Sequence, residues 1–130
     1  MRRPLAPEHD LVTAWVARHF TPGWASEART ALSHQPCGVF IAVEADTIVG
    51  FCCIDAIARG FVGPIGVAPG VRQHGVGAAL LRAALADMKA QGYAYAVAGA
   101  VGAPEFFRRV AGAVEIPGSS PGLYAGLLKG

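Results

Sequence analysis

The segment GVAPGVRQHGVGAALLRAAL, residues 66–85, constrains the fold most because three structural signals follow one another in it. An apolar run ends at Val67, proline and glycine mark a turn, and a helical pattern begins near Gly75. A strand that turns directly into a helix exposes the first N–H groups of that helix, which carry a partial positive charge. The segment therefore predicts a strand–turn–helix unit, and two interpretations of its turn stay open: an anion site, or an ordinary strand-to-helix turn without a ligand.

Hydrophobic periodicity predicts the other elements. The predicted helices span 7–20, 22–34, 75–91 and 103–113. The predicted strands span 38–44, 47–55, 61–67, 93–101, 113–117 and 123–129. The order ααβββαβαββ favours a mixed α/β (α+β) fold, in which a mostly antiparallel sheet is flanked by helices.

The composition bounds the class of protein. A chain of 130 residues with 53% hydrophobic residues can bury the core of one domain, so we expect a single domain over 1–130. The net charge of +2, without runs of like charge, does not indicate a nucleic-acid surface. The apolar stretches are too short to cross a membrane, and Glu8 and Asp10 follow the opening arginines, unlike in a signal peptide. We expect a cytoplasmic protein with no membrane or nucleic-acid partner.

The cysteines and histidines do not form a pattern that indicates disulfides or metal binding. Cys37, Cys52 and Cys53 are odd in number and two of them are adjacent, so reduced, buried thiols are expected. The four histidines have no metal-ligand spacing with these cysteines. The sequence therefore predicts no metal site.

The run at 61–67 is unusual for a strand because it contains Gly63, Pro64 and Gly66. Proline cannot donate a hydrogen bond to a neighbouring strand, so within a sheet it belongs at a bulge or at an unpaired position. We therefore expect an irregular strand that leads into the glycine-marked turn.

Two stretches of the chain resemble one superfamily. IGVAPGVRQHGVGAALLRAAL is similar to the acetyl-CoA-binding motif of the GNAT N-acetyltransferases, in which a strand ending in Val-x-Pro precedes Arg/Gln-x-x-Gly-x-Gly/Ala and a helix. GYAYAVAGAVGAPEFFRRVAGA continues the resemblance where the family places its fifth strand and a short helix. The resemblance covers residues 38–130 and includes the first two helices in order only. The first strand of the family is short or missing here.

The resemblance implies acetyl-CoA as cosubstrate and assigns its contacts. Ile65 and Val67 would lend backbone groups to the pantetheine arm beside a bulge, and an N–H near Gly66 or Val67 would face the oxyanion. Arg72 would pair with a phosphate or with the loop backbone. The pyrophosphate would be held by backbone N–H groups of the loop, namely those of Gln73, His74, Gly75, Val76, Gly77 and Ala78.

Acyl transfer to an amine needs a neutral amine, a donor for the oxyanion and a proton for the departing thiolate. The family often takes that proton from a tyrosine on the helix after its fifth strand, where this chain has Phe107. Ser119, Ser120 and Tyr124 lie in the right part of the chain to replace it. Asp55, alone in the apolar stretch CCIDAIA, is the candidate base, and a turn carboxylate is the alternative interpretation.

His19, Phe20 and Trp24 lie between the first two helices, which shape the acceptor pocket in the family. Two interpretations stay open for them. They line that pocket, or the two aromatic residues belong to the core and His19 is exposed.

The resemblance implies an N-acetyltransferase that acts on a primary amine of a small molecule or peptide, by direct attack in a ternary complex. A non-catalytic acyl-CoA-binding module is the first alternative, since Phe107 departs from the family pattern. A different nucleotide- or phosphate-binding domain is the second, although the lysine of a P-loop is missing. A homodimer is expected.

Overall fold

The computed structural model of the chain describes residues 1–71, 74–99 and 101–129. Within these ranges the helices are His9–His19 (α1), Pro22–Leu32 (α2), Val76–Ala90 (α3) and Pro104–Ala111 (α4). The strands are Val39–Glu44 (β1), Thr47–Ile54 (β2) and Val62–Val67 (β3). Short 3₁₀ turns occupy Ala6–Glu8, Pro69–Val71 and Gly122–Tyr124. The expected class, a mixed α/β fold with an antiparallel sheet and flanking helices, is confirmed.

The three strands form one antiparallel sheet in the order β1-β2-β3. A hairpin joins β1 to β2, and its two turn residues, Ala45 and Asp46, have φ values of 49° and 61°. Two consecutive residues with positive φ are typical of the tight turn whose twist matches that of paired strands. The hairpin predicted from the sequence is therefore present.

The N-terminal segment adds a single pair of bridged residues to the edge of β1. The Arg2 N–H donates to the Ile41 carbonyl at 3.0 Å, and the Ile41 N–H donates to the Arg2 carbonyl at 2.8 Å. The Arg3 guanidinium holds this segment in place through an ion pair with Asp87 at 2.8 Å. The first strand of the fold is thus reduced to one bridge, as expected.

The sheet has a hydrophobic cluster on each face, because successive strand residues point to opposite sides. Helices α1 and α2 cover the face that presents Ile41 and Phe51. Helices α3 and α4 cover the face that presents Phe40 and Cys52. A sheet covered on both faces requires apolar residues at consecutive positions, which explains the unbroken apolar runs of β1 and β2.

The strand predicted at 93–101 is wrong for the described residues of that range. Val97 alone pairs there, in a parallel bridge with Phe61. The Val62 N–H donates to the Val97 carbonyl at 2.9 Å, and the Val97 N–H donates to the Gly60 carbonyl at 3.0 Å. The alternation of side chains predicts a full strand. A strand needs hydrogen-bond partners along its whole length, and the described residues after Val97 make no further bridge to β3.

The closing strands predicted at 113–117 and 123–129 are also wrong. The described residues of this segment form the 3₁₀ turn Gly122–Tyr124 and otherwise irregular backbone. Prolines remove backbone donors there, and Gly118 and Gly126 adopt φ values of 71° and 84°, which a strand does not allow. The short apolar runs at 113–117 and 123–129 are therefore not enough to form paired strands.

Cys52 and Cys53 are fully buried on β2, one on each face of the sheet, and all three cysteines are free thiols. Burial raises the pKa of the Cys52 thiol to about 12, so it stays protonated and unreactive at neutral pH.

Of the helices in the described ranges, none combines the length and the apolar character that a membrane span requires.

Candidate active site

The bulge expected in β3 is present at Gly63 and Pro64. Cys52 pairs with Ile65 and Ile54 pairs with Val62, so two residues of β3 lie opposite one residue of β2. Gly63 has a φ of +119°, which a residue with a Cβ rarely adopts. The glycine–proline pair therefore interrupts the ladder where β3 begins.

Beyond the bulge, alternate residues of β3 direct their backbone groups away from β2. The Ala68 N–H donates to the Val49 carbonyl at 2.8 Å, which places residue 68 in a hydrogen-bonded pair. Because such pairs alternate along an antiparallel ladder, Gly66 also faces β2, whereas Ile65 and Val67 point their N–H and C=O groups the opposite way. Those groups are directed at a cavity.

A cavity of about 940 Å³ separates β3 from the chain that follows Val97. Residues 62–67 line one side of it, and residues 98–99 and 101–103 line another. Helix α2 and Tyr124 of the C-terminal turn also line it. Among the described residues the two backbone segments pair at one bridge, Phe61 with Val97, and the cavity lies between the segments beyond it. Its volume lies within the range of small-molecule sites.

Gly77, in the first turn of α3, lines the same cavity, so the N-terminus of this helix borders it. The first intrahelical hydrogen bond of α3 runs from the Ala79 N–H to the Gly75 carbonyl, at 3.1 Å. The N–H groups of Val76, Gly77 and Ala78 precede this bond and have no acceptor within the helix. Three of the six predicted pyrophosphate donors are thus presented together at a positive helix end.

The other predicted loop donors have different positions. Gly75 precedes α3 with a φ of +76° and has open space around its Cα. The His74 N–H donates to the Val71 carbonyl at 3.1 Å, so in this structure it is engaged within the loop. Arg72 and Gln73 lie outside the described residues, and their proposed contacts stay predictions.

Helix α4 contributes aromatic rings and no hydroxyl group to the cavity. Phe106 and Phe107 both line it, and the Phe106 ring lies 3.5 Å from the position that a Cβ on Gly77 would take. Ser120, the candidate proton donor, is exposed and does not line the cavity. Its hydroxyl is not brought to the site.

Tyr124 is the predicted catalytic residue that the structure does bring to the cavity. Its hydroxyl donates a hydrogen bond to Glu27 Oε2 on α2. Burial, and then the neighbouring Glu27 carboxylate, raise the pKa of the Tyr124 phenol above its ordinary value of 10. The phenol is therefore a neutral donor over the physiological pH range.

Glu27 is the site residue that sequence reasoning missed. It lies on α2 and lines the cavity together with Trp24. Residues three apart on a helix share a face, so the spacing of Trp24 and Glu27 was the available signal. Of the aromatic trio, Trp24 lines the cavity, Phe20 packs partly buried behind it, and His19 is exposed.

The structure places Asp55, the candidate base, outside the larger cavity. Its carboxylate accepts the Gly60 N–H at 2.7 Å and the Tyr93 hydroxyl at 3.0 Å. It lines a separate cleft of about 380 Å³ that shares no residue with the larger cavity. Asp55 closes the turn after β2, so the alternative interpretation, a turn carboxylate, describes its position.

Two solved structures share this fold, which is that of acetyltransferases. One is a GNAT family acetyltransferase from Brucella melitensis, solved in complex with acetyl-CoA, with 20% identity, a TM-score of 0.60, and coverage of 85% of this chain and 79% of that chain. The other is a ribosomal-protein-alanine N-acetyltransferase from Brucella melitensis biovar Abortus 2308, with 16% identity, a TM-score of 0.59, and coverage of 85% and 88%. At these identities the likeness shows the fold alone.

The sequence profile of the acetyltransferase (GNAT) family matches residues 8–112. The chain therefore belongs to the GNAT acetyltransferase family. Members of this family use acetyl-CoA as cosubstrate, which agrees with the cosubstrate predicted from the sequence. Among curated protein sequences none matches the chain significantly.

Replacing Asp55 with alanine is expected to lower the free energy of unfolding by about 1–3 kcal/mol, because the Gly60 N–H and the Tyr93 hydroxyl lose their acceptor. Binding of acetyl-CoA should stay unchanged. Chemical denaturation and calorimetric titration measure the two effects. The control is Asp55→Asn, which keeps an acceptor oxygen and tolerates the φ of 57° at this position. Loss of acetyl-CoA binding by a folded Asp55→Ala variant would contradict a purely structural role.

Proposed function

We propose that the chain is an acetyl-CoA-dependent N-acetyltransferase that acts on a primary amine of a small molecule or peptide. The observation that supports this most is one cavity bordered by three features. These are the cavity-facing backbone of β3 at Ile65, the N-terminus of α3 and a carboxylate on α2. The first two suit an extended acyl-CoA, and the third suits an amine. A single domain over residues 1–130 would carry both subsites.

The described residues fit the cosubstrate. The Ile65 carbonyl, directed into the cavity, can accept a hydrogen bond from an amide of pantetheine as a neighbouring strand would. The N–H groups of Val76, Gly77 and Ala78 can bind the pyrophosphate at the helix end. The absence of a side chain at Gly77 lets a phosphate approach that backbone. Val67 also lines the cavity, and its predicted contact with pantetheine belongs to the same proposal.

In the proposed reaction the neutral amine nitrogen forms a bond to the acetyl carbon while the bond from that carbon to sulfur breaks. An acceptor that binds as an ammonium ion first releases one proton to solvent. After the attack the nitrogen loses a second proton and the departing thiolate gains one from solvent, so an amide and free CoA result. Pro64 has no N–H and Gly66 faces β2, so Ile65 supplies the cavity-facing N–H nearest the bulge. We assign the stabilisation of the oxyanion to that group, one residue before the predicted position.

No side chain of α4 can protonate the thiolate, since Phe107 replaces the tyrosine of the family pattern. Tyr124 is a weak acid for this step because the pKa of its phenol is raised and its hydroxyl already donates a hydrogen bond to Glu27. A thiolate is a stable leaving group, with an ordinary thiol pKa of about 8.5, so protonation by solvent suffices. We therefore expect acetyl transfer to be slower than in relatives that have the tyrosine.

The test is acetyl transfer to a panel of primary amines, measured as thiol release and as the mass of the acetylated product. Acetylated amine that depends on the intact protein is the expected result. Binding of acetyl-CoA without any acetylated product across the panel would favour the alternative, a non-catalytic acyl-CoA-binding module. Absence of acetyl-CoA binding would overturn both.

The expected homodimer belongs to the proposal as well. Its support is a group of exposed apolar side chains in the irregular C-terminal segment, among them Val114 and Leu128, which are 85% and 90% exposed. Exposed apolar groups of this kind favour contact with another protein surface.

A further inference from the structure

The described lining of the cavity carries very little charge. Among the described residues that line it, Glu27 is the one with a formal charge. The remaining lining consists of glycine, aliphatic and aromatic residues, with hydroxyl groups from α2, its N-cap and Tyr124. No lysine, arginine or histidine of the described lining offsets the carboxylate. A cavity of this composition attracts one positive charge and favours an apolar body around it.

Glu27 has one carboxylate oxygen engaged and one that the described residues leave unused. The Tyr124 hydroxyl donates a hydrogen bond to Oε2, and Tyr124 lies 97 residues after Glu27 in the sequence. The ion pairs in the described part of the chain do not include Glu27. A partly buried carboxylate without a cation is electrostatically unsatisfied, so a cationic ligand would gain more here than at an exposed carboxylate.

Trp24 provides a second group that suits a cation. It precedes Glu27 by three residues on α2, so both side chains lie on the same face of the helix. The Trp24 ring is supported from behind by Phe20 at 5.1 Å and by Phe51 at 6.0 Å between ring centroids. A tryptophan face attracts ammonium groups, and the supporting rings limit its movement.

We propose that Glu27, oriented by Tyr124 and flanked by Trp24, binds the ammonium group of the acceptor, and that the acceptor is a monocationic amine with an apolar substituent. This rests on the proposed acetyl transfer and names the substrate class of the same site. A second ammonium would find no partner among the described lining residues. A carboxylate on the acceptor, as in an amino acid, would find no cation there and would lie close to Glu27.

The test compares the binding of two molecules of the same shape to the CoA-saturated protein. 2-Phenylethylamine is a cation at neutral pH, and 2-phenylethanol is neutral. Calorimetric titration of the intact protein should show the amine binding at least about 10-fold more tightly, the effect of one charge-assisted hydrogen bond. Equal affinities would overturn the proposal, and this comparison needs no variant.

Substitution then assigns the preference to one carboxylate. Glu27→Gln keeps the acceptor for the Tyr124 hydroxyl but removes the charge, so the preference for the amine should disappear. Glu44→Gln is the matched control, because Glu44 is exposed at the end of β1 and makes the same change in net charge. Tyr124→Phe should retain most of the preference, since the carboxylate remains. A preference that survives in Glu27→Gln, or that Glu44→Gln also abolishes, would overturn the assignment.

Two further ligands test the substrate class. Phenylalanine, which adds a carboxylate, and 4-(2-aminoethyl)benzylamine, which adds a second ammonium on the same ring, should both bind about 10-fold more weakly than 2-phenylethylamine. Comparable binding of either would overturn the monocationic class. Failure of acetyl-CoA to bind would instead count against the proposed function. Normal acetyl-CoA binding without an amine preference would count against this inference alone.

Discussion

Replacing Gly77 with glutamate is expected to weaken acetyl-CoA binding by at least about 100-fold, which is roughly 2.7 kcal/mol. The new carboxylate would enter the cavity at the helix end that is proposed to bind the pyrophosphate, and it would both occupy space and repel the anion. Calorimetric titration with acetyl-CoA measures the loss.

The stability of the Gly77→Glu variant should be retained, so that weak binding reports on the site. A Cβ at this position meets its nearest neighbours at 3.5 Å, which is ordinary contact distance. A carboxylate in the first turn of a helix is also favourable. Gly75 is a poorer position for the test because its φ of +76° disfavours any other residue.

Ala86→Glu is the matched control for this prediction, because Ala86 is exposed on α3, away from its N-terminus. It introduces the same charge on the same helix and should leave acetyl-CoA binding unchanged. Unaltered binding by Gly77→Glu would show that the CoA pyrophosphate does not contact this helix end, and the proposed site would then be wrong.

Replacing Phe51 with alanine is expected to lower the free energy of unfolding by about 3–5 kcal/mol. Phe51 is fully buried on β2, and its ring lies 5.6 Å from Phe20 and 6.2 Å from Trp15 between centroids. Truncation would leave a void beneath both helices on this face of the sheet, which neighbouring aromatic rings cannot fill without leaving their own contacts. Denaturant unfolding measures the effect.

Tyr95→Ala is the control for the Phe51 prediction, since it removes an aromatic ring that is 81% exposed and should change stability by less than about 0.5 kcal/mol. The cavity also offers a second readout. Trp24 rests on the Phe51 ring, so a folded Phe51→Ala variant should bind the acceptor amine more weakly. A stability loss below about 1 kcal/mol would contradict the assignment of Phe51 to the core.

The elements that could be predicted from the sequence are those encoded by nearby residues. Periodicity predicts helix α3 at 75–91, and the helix spans Val76–Ala90. The three strands of the sheet lie within one residue of their predicted bounds. The β3 bulge followed from Gly63 and Pro64, because the lack of a side chain at one and of an N–H at the other limits pairing wherever the chain folds.

The predictions that failed depended on partners far along the chain. The run at 93–101 has the alternation of a strand, but its neighbour β3 is bulged, and one bridge forms among the described residues of the run. Asp55 stands alone among apolar residues, which favours a catalytic role when the sequence is considered by itself. Tertiary packing instead directs it to Tyr93, 38 residues away, and to the backbone of its own turn.

The sequence by itself determined the local units: the helices, the hairpin, the bulged strand and the glycine-marked helix N-terminus. Periodicity, glycine and proline act over a few residues, so their effects survive in almost any packing. The tertiary structure alone decided which side chains share the cavity. Glu27 and Tyr124 are 97 residues apart, and their hydrogen bond exists because α2 and the C-terminal turn pack around one cavity. No short-range pattern encodes such a contact, since it depends on the packing of every element between them.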